Sequence, residues 1–239
     1  FRDILSCLQQ QGLLFGTGTA ADPESLKALE EQYRALDLDY LLEEVPKAVE
    51  QTRDGVARVA RIVGAMKDFS HPGMESKVHV DLNHAIESTL IISHNEWKYV
   101  AEVATDYDPG LPDVPCFPSE FNQVILNLVV NAAHAIQEAR EKGNPDLQGR
   151  IRISTRQEGQ EALVRIADNG AGIPESIREK IFEPFFTTKP IGKGTGQGLA
   201  IAHAVIVDKH KGRLSFDTET GKGTTFTIAL PLGMEPAKP

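Results

Sequence analysis

Four short segments between residues 127 and 198 constrain this chain more than any other feature of its sequence. In order, they are Asn127-Leu-Val-Val-Asn131, Asp168-Asn-Gly-Ala-Gly172, Phe182-Glu-Pro-Phe-Phe186 and Gly194-Thr-Gly-Gln-Gly198. A single glycine cluster is weak evidence for any kind of site. The order and the spacing of all four segments predict that they fold together into one nucleotide pocket.

The two asparagines of the first segment lie four residues apart in a stretch with helical periodicity. Apolar residues recur every three or four positions from Val124 to Ile136, so Asn127 and Asn131 share one face of a helix. Amide oxygens suit Mg²⁺, which proteins usually share with substrate phosphates. We expect one amide to hold the metal and the other to orient it. Two ordinary polar positions on an amphipathic helix are the alternative.

The second segment follows a predicted strand. Residues 162–167 alternate in part and are rich in branched side chains, so the strand places Asp168 at its end. A carboxylate can accept a hydrogen bond from an exocyclic amino group such as that of adenine. Gly170 and Gly172 would let the backbone approach the ring closely. A simple turn after a strand is the alternative interpretation.

The fourth segment leads directly into an apolar run, residues 199–207, which predicts a buried helix. Glycine-rich backbone at the start of a helix exposes amide donors to anions, and phosphates are the expected ligands. The segment lacks the pattern of a P-loop, and no strand immediately precedes it as in a dinucleotide-binding fold. A flexible loop is the alternative.

Together the four segments resemble the N box, first glycine box, F box and second glycine box of sensor histidine kinases, which belong to the GHKL ATP-binding superfamily. The resemblance covers residues 77–232. It implies an α/β sandwich of the GHKL (Bergerat) type, with a mixed sheet on one side, helices on the other, and ATP beneath a mobile lid. The phenylalanines of the F box, Phe182, Phe185 and Phe186, are expected to anchor that lid rather than to stack on the nucleotide.

The resemblance also implies roles for individual residues. Asp168 would bind adenine, Asn131 would ligate Mg²⁺, and Asn127 would support the metal and the phosphates. Lys189 would reach a phosphate. His134 stands where many relatives have a phosphate-contacting lysine, so its electrostatic contribution to phosphate binding depends on its protonation. The other residues expected at the nucleotide are Gly170, Gly172, Ile173, Phe182, Thr187, Gly194, Thr195, Gly196, Gly198 and Leu199.

The superfamily contains both kinases and ATPases, so the fold alone does not fix the reaction. The ATPases place a glutamate four residues before the metal-binding asparagine, where it acts as general base toward water. Asn127 occupies that position here, and an amide cannot accept a proton at neutral pH. We therefore expect phosphoryl transfer to a histidine, with Asn127, Asn131 and Lys189 as catalytic residues. A GHKL-type ATPase is the alternative, and a decayed, noncatalytic module is disfavoured because all four boxes keep their polar and glycine positions.

The residues before the ATP-binding region predict a helical hairpin that forms a four-helix bundle in a homodimer. Apolar residues from Val45 to Met66 alternate spacings of four and three, which is a heptad pattern. A core helix within one chain is the alternative, and Pro46 is expected to mark the first turn or a kink. No histidine is followed by an acidic residue in the family's phosphoacceptor pattern. We therefore expect the phosphoacceptor histidine to lie outside this chain.

These interpretations give an α+β protein with a hairpin at residues 1–74 and a catalytic ATP-binding domain at residues 75–239. Cys7 and Cys116 are expected to be buried and inert. A net charge of −9 argues against nonspecific nucleic-acid binding. No apolar run is long enough to span a bilayer, so a cytoplasmic location is expected, while membrane contact of a longer parent stays open. The expected partners are a second copy of the chain and a response-regulator receiver domain.

Overall fold

The computed structural model describes residues 27, 38–69, 76–189 and 195–233. The chain divides into two compact units, residues 1–59 and 60–239. Most of the first half of the predicted hairpin, residues 1–37 apart from Lys27, and the site residue Gly194 lie outside the described residues. The boundary predicted between residues 74 and 75 stays a prediction.

The helix predicted from the heptad pattern is helix α1, Leu38–Phe69. Pro46 lies inside α1 rather than in its first turn. Five valines at heptad positions are each more than half exposed: Val45, Val49, Val56, Val59 and Val63. The apolar seam of α1 therefore faces solvent in the single chain.

The region predicted to bind ATP is built on a mixed sheet, as the resemblance implied. The strands are β1 (Val78–Val80), β2 (Glu102–Asp106), β3 (Val114–Cys116), β4 (Arg150–Glu158), β5 (Glu161–Asp168), β6 (Arg213–Glu219) and β7 (Gly223–Pro231). Five of them form one sheet in the order β2-β4-β5-β7-β6, in which β2 and β4 are parallel and the other neighbours antiparallel. Strands β1 and β3 form a separate antiparallel pair.

Short and long helices connect these strands. They are α2 (Leu82–Ile92), α3 (His94–Trp97), α4 (Pro118–Lys142), a 3-10 helix (Glu175–Lys180), α5 (Gly198–His203) and a π-helix (Ala204–Lys209). Pro118 occupies the first turn of α4, where its missing N–H costs no helical hydrogen bond. The predicted N-box helix is thus confirmed and extends beyond its predicted range. Among the described helices, none is long and apolar enough to cross a membrane.

Helix α4 is fixed against one face of the sheet by a continuous apolar core. Strand β4 alternates buried and exposed residues, as expected for a strand covered on one face. The fully buried side chains of α4 and the sheet belong to one cluster, which includes Phe121, Ile125, Leu128, Ile136, Ile151, Ile153, Ile166 and Ile228. Burial of each such side chain contributes about 1.5–3 kcal/mol. The asparagines Asn127 and Asn131 on α4 stay half-buried and are held in place by this packing.

One of the two cysteine predictions can be checked on the described residues. Cys116 on β3 is fully buried, and burial raises the pKa of its thiol to about 12. A thiol with so high a pKa carries almost no reactive thiolate at neutral pH. Cys116 is therefore inert as predicted, while Cys7 lies outside the described residues.

Candidate nucleotide-binding site

A cleft of about 770 Å³ is lined by residues from all four sequence segments. Its volume lies within the range of small-molecule sites in proteins. The predicted site residues that line it are Asn127, Asn131, His134, Asp168, Gly172, Ile173, Thr187, Lys189, Thr195, Gly196, Gly198 and Leu199. Two predicted residues, Gly170 and Phe182, are absent from the described lining. The fold therefore brings together segments that are far apart in sequence.

The first segment lies on helix α4 and is hydrogen-bonded to Gly198, the first residue of α5. The side-chain amide of Asn127 donates a hydrogen bond to the carbonyl oxygen of Gly198, at 3.1 Å. Its own amide oxygen is an acceptor only and stays available to a ligand. Asn131 lies one turn later on the same face of α4 and makes no side-chain hydrogen bond within the described part of the chain. The amide oxygen of Asn131 is therefore free to coordinate a cation.

Asp168 ends strand β5 and lines the other side of the cleft. One carboxylate oxygen accepts a hydrogen bond from the backbone N–H of Gly170, at 2.8 Å. Burial raises the pKa of Asp168 to about 6, although backbone hydrogen bonds from Gly170 and Thr224 act in the opposite direction. Asp168 is thus ionised at neutral pH and protonated in mildly acidic solution.

Backbone contacts that only glycine permits hold the loop after Asp168 in place. A Cβ atom on Gly170 would lie 2.5 Å from the carbonyl carbon of Ala135 on α4. The next residue, Ala171, donates its N–H to the carbonyl oxygen of Ala135, at 3.0 Å. Gly172 has a φ of 68°, and a Cβ atom there would collide with the backbone of Glu219. Gly170 therefore acts by packing the loop on α4, which is why it does not itself line the cleft.

The F box and the second glycine box meet through their backbones. Gly196 has a φ of 65°, and a Cβ atom on it would collide with the backbone of Phe185. Phe185 itself has a φ of 68°, which is uncommon for a residue with a side chain and stores about 1–3 kcal/mol of strain. The contact therefore brings together the two ends of the segment that lies between them.

The three phenylalanines of the F box have different environments. Phe182 packs against the rings of His203 and Phe216, with ring centroids 5.0 and 5.9 Å away. Phe186 packs against the core and also lines the cleft. Phe185 is 70% exposed, so it differs from the expected packing anchor. Of these three phenylalanines, only Phe186 lines the cleft.

Lys189 and His134 form a pair that the sequence did not indicate. The ammonium nitrogen of Lys189 lies 2.6 Å from Nδ1 of His134. Burial lowers the pKa of both groups, and the charge of Lys189 lowers that of His134 further. Glu96 raises the pKa of His134 and Glu138 raises that of Lys189. A neutral His134 that accepts a hydrogen bond from a charged Lys189 satisfies both groups.

The donor set of the cleft fits a nucleotide with a hard cation. Within the described ranges, no group of three or more His, Cys, Asp or Glu side chains could hold a metal ion. Amide oxygens on α4 are the neutral ligands that Mg²⁺ accepts when phosphates supply the remaining charge. Asp168 offers an acceptor at one end, and Lys189 offers a positive charge elsewhere in the same cleft.

Several lining residues were not identified from the sequence: Glu96, Glu138, Lys142, Ser176, Thr188, Thr224 and Phe226. Thr224 follows Gly223 at the start of β7, and strand pairing places it directly opposite Asp168. The Gly-Thr-Thr sequence at residues 223–225 was the available signal for it. The pairing of β5 with β7 is a contact between distant residues and has no local signature.

Comparisons with known proteins agree with this geometry. The family model described as "Histidine kinase-, DNA gyrase B-, and HSP90-like ATPase" matches residues 118–234. The signal transduction histidine-protein kinase AtoS of Escherichia coli (strain K12) is 33% identical over 177 residues, which are 73% of this chain and 27% of AtoS. The chain thus spans about a quarter of the length of that relative.

Solved structures show the same fold. The catalytic domain of histidine kinase ThkA aligns with a TM-score of 0.55 and 29% identity, covering 66% of this chain and 99% of that domain. A complex of ThkA with the response regulator protein TrrA aligns with a TM-score of 0.52 and 22% identity, covering 97% of this chain and 59% of that chain. At that lower identity the likeness extends to the fold alone.

Proposed function

Because residues 118–234 of this chain belong to the histidine kinase-, DNA gyrase B- and HSP90-like ATPase family, we propose that the chain is the ATP-binding catalytic core of a sensor histidine kinase. The observation that carries this proposal is the cleft in which all four boxes meet, with an amide rather than a carboxylate at Asn127. The relatives named sensor or signal transduction histidine kinases support the same assignment.

In this proposal the base of ATP binds beside Asp168. The ionised carboxylate accepts a hydrogen bond from the amino group of adenine, which guanine does not carry at the same position. Ile173, Phe186 and Leu199 supply apolar surface in the same cleft. Burial of the flat base against such surface adds affinity without added specificity.

The phosphates bind between helix α4 and the second glycine box. Asn131 would hold Mg²⁺, which neutralises phosphate charge when it is bound. Asn127 stays hydrogen-bonded to Gly198 and fixes the spacing of the two elements. Lys189 supplies a positive charge, and His134 orients it through the 2.6 Å contact. Phosphoryl transfer depends mainly on such positioning and charge neutralisation.

The nucleophile in this proposal is a histidine on a separate hairpin. Its imidazole nitrogen attacks the γ-phosphorus, the bond from phosphorus to the bridging oxygen breaks, ADP leaves, and the imidazole releases its N–H proton. Asn127 cannot take a proton from water, so hydrolysis lacks the general base that the related ATPases use. The described residues that line the cleft include no histidine besides His134, which already bonds to Lys189.

Two partners follow from the proposal. The exposed valine seam of α1 would pair with a second copy of the chain, because a heptad seam is stable only when a partner helix covers it. A response-regulator receiver domain would accept the phosphoryl group, and the structure of ThkA in complex with the response regulator protein TrrA supports a partner of this kind. ATP and such receivers meet in the cytoplasm, so we place the cleft on that side of any membrane.

The fate of the γ-phosphate tests the function. The chain is incubated with γ-labelled Mg-ATP, with and without a separate hairpin from a sensor histidine kinase that carries an intact phosphoacceptor histidine. Acid-labile label on the hairpin and little free phosphate are expected. Rapid release of free phosphate by the chain alone would instead indicate an ATPase, and label on the chain itself would mean that one of its own histidines is the acceptor.

A further inference from the structure

Two lysines line the cleft and differ in what they contact. The ammonium group of Lys142 pairs with a carboxylate oxygen of Glu138 at 2.5 Å, and its side chain is 73% exposed. Lys189 is half-buried, and its side-chain nitrogen lies 2.6 Å from Nδ1 of His134. The same cleft therefore holds one lysine paired with a carboxylate and one lysine next to an imidazole.

These contacts have opposite effects on the two amines. The hydrogen bond to Glu138 raises the pKa of Lys142. Burial lowers the pKa of Lys189, and the charge of Glu138 opposes this to a smaller extent. Only a neutral amine has the lone pair that attacks an electrophilic carbon, and a lysine becomes nucleophilic when burial lowers its pKa. Lys189 is therefore the better nucleophile of the two.

His134 is placed to take the proton that such an attack releases. Burial and the charge of Lys189 lower the pKa of His134, while Glu96 raises it to a smaller extent, so the ring is neutral at neutral pH. Its Nδ1 atom faces the amine of Lys189 within hydrogen-bond distance. A nucleophile and a base in such contact form the arrangement of an activated nucleophile. Phosphoryl transfer to a histidine on another hairpin does not use this chemistry.

The surroundings of the pair favour a small phosphorylated electrophile. The proposed function places the phosphates of ATP beside Asn131 and Lys189, which line the same cleft. An acyl phosphate carries the same anionic group, bonded to a reactive carbonyl carbon, and that phosphate is its leaving group. Binding of the phosphate in the cleft would bring the carbonyl carbon close to the amine of Lys189.

We propose that Lys189 is a site of acylation by acyl phosphates, with His134 as the proton acceptor, and that this modification weakens ATP binding. The neutral amine of Lys189 attacks the carbonyl carbon, the bond from that carbon to the phosphate oxygen breaks, and inorganic phosphate leaves. The proton that the nitrogen loses passes to Nδ1 of His134 and then to solvent. The product is an N-acyl lysine without positive charge. The inference rests on the proposed function, because it takes the cleft to bind phosphate groups.

The test uses acetyl phosphate as the probe. The full chain is incubated with it at pH 8, and the initial rate of acetylation of each lysine is measured by peptide mass spectrometry. Lys189 should react at least about tenfold faster than Lys142, because a positioned general base commonly contributes more than that. The rate should saturate with acetyl phosphate and fall when a nonhydrolysable ATP analogue fills the cleft. Lys222, which pairs with Glu219 and does not line this cleft, gives the rate for a surface lysine.

The variant His134→Gln tests the role of the base. Glutamine keeps an acceptor for Lys189 but cannot take a proton at neutral pH. The maximal rate of Lys189 acetylation should fall at least about tenfold, with little change in the acetyl phosphate concentration that gives half of that rate. His79→Gln is the matched control, because His79 is an exposed residue of β1 outside the described lining of the cleft. It should change neither quantity.

The effect on the nucleotide is measured on the acetylated chain, by displacement of a fluorescent ATP analogue. Acetylation should raise the Kd for ATP about tenfold and leave that for adenosine unchanged, as for loss of one hydrogen bond to a charged group. The ATP affinity of Lys189→Met should not respond to acetyl phosphate, which separates Lys189 from lysines modified elsewhere. An unchanged Kd for ATP after complete acetylation of Lys189 would overturn the proposed effect on binding.

The remaining outcomes separate this inference from the proposed function. Acetylation of Lys189 no faster than that of Lys142 would overturn the inference, while ATP binding by the unmodified chain would leave the proposed function standing. An unchanged maximal rate in His134→Gln would overturn the role of His134 as proton acceptor. Failure of the unmodified chain to bind the ATP analogue would overturn the proposed function and, with it, the phosphate site on which the inference rests.

Discussion

The proposed base end of the cleft, at Asp168, and the proposed phosphate end, at Asn127 and Lys189, are held together by different kinds of contact. At the base end, the loop after Asp168 lies against helix α4 through backbone atoms, at Gly170 and Ala171. At the phosphate end, the described contacts include two side-chain hydrogen bonds, from Lys189 to His134 and from Asn127 to Gly198. Backbone contacts cannot exchange partners without moving a whole element. We therefore expect a rigid base site and an adjustable phosphate site.

The largest effect should come from a substitution that breaks the rigid end. Gly170→Ala places a Cβ atom 2.5 Å from the backbone of Ala135, which cannot move without shifting α4. We expect a loss of about 3 kcal/mol in the free energy of unfolding, as for an overpacked core. We also expect a loss of measurable ATP binding, because the loop directly follows Asp168 and Gly170 donates a hydrogen bond to its carboxylate.

Urea denaturation and ATP titration would measure these two effects. Gly143→Ala is the matched control, because Gly143 follows the same helix and a Cβ atom there meets no atom within 4 Å. It should leave both quantities nearly unchanged. If Gly170→Ala kept the stability and ATP affinity of the unaltered chain, the backbone contact between the loop and α4 would not hold the base end rigid.

The next effect concerns the charge of Asp168. Asp168→Asn should weaken ATP binding by about thirtyfold at pH 8, since the removal of a charged hydrogen-bond acceptor costs about 2 kcal/mol. In the unaltered chain, ATP affinity should fall as the pH decreases through about 6, because the protonated carboxyl is a poorer acceptor. Titration calorimetry from pH 5 to pH 8 measures both effects, and the pH dependence should be much weaker in Asp168→Asn.

The stability of the nucleotide-free chain should respond to pH in the opposite direction. The pKa of Asp168 is raised from 3.8 to about 6, so the folded state binds the proton more tightly than the unfolded state does. The stabilisation is complete below the unfolded pKa and is lost as the pH rises through about 6. It amounts to about 3 kcal/mol. Urea midpoints of the chain and of Asp168→Asn, compared at pH 4.5 and 7.5, would isolate this contribution from other groups.

The single elements around the cleft were more predictable from sequence than the contacts between them. Strand β5 and helix α4 were both predicted from periodicity. Asp168 lies in the cleft because it ends β5, and Asn127 and Asn131 lie there because they share one face of α4. Gly170 was expected to approach the base, but it approaches α4 instead. The sequence indicates that a glycine is needed at that position, and it does not indicate which neighbour requires it.

What the sequence did not indicate depends on contacts between distant residues. The pair of Lys189 and His134 joins residues 55 positions apart, and the hydroxyl contact of Thr218 with Thr224 needs the register of β6 on β7. No local pattern encodes either contact. The three phenylalanines of the F box share one motif and yet differ in burial, because the turn at Phe185 points its side chain to solvent.

A smaller effect is expected at the adjustable end when Lys189 loses its charge. Lys189→Met keeps most of the apolar stem and should raise the Kd for ATP by about tenfold, as for the loss of one hydrogen bond to a charged group. The Kd for adenosine, which has no phosphate, should stay unchanged. Equal losses for ATP and adenosine would mean that Lys189 supports the shape of the cleft rather than a phosphate. The solvated Lys222, which pairs with Glu219, offers Lys222→Met as a control for loss of charge alone.

The smallest effect should follow from altering the partner of Lys189. His134→Gln retains a hydrogen-bond acceptor for Lys189, so the Kd for ATP should change by no more than about threefold at pH 8.

A difference in ATP binding between the unaltered chain and His134→Gln should appear in acid. Burial and the nearby Lys189 lower the pKa of His134, so neutral His134 contributes stability above its ordinary pKa that is lost as the pH falls. Once protonated, His134 can no longer accept from Lys189, and the released ammonium and the new imidazolium both attract phosphate. In an Asp168→Asn background, which removes the opposing carboxyl titration, ATP binding should therefore strengthen in acid with His134 present and should not with His134→Gln. An identical pH dependence of the two chains would mean that the pair does not adjust and that the phosphate end is as rigid as the base end.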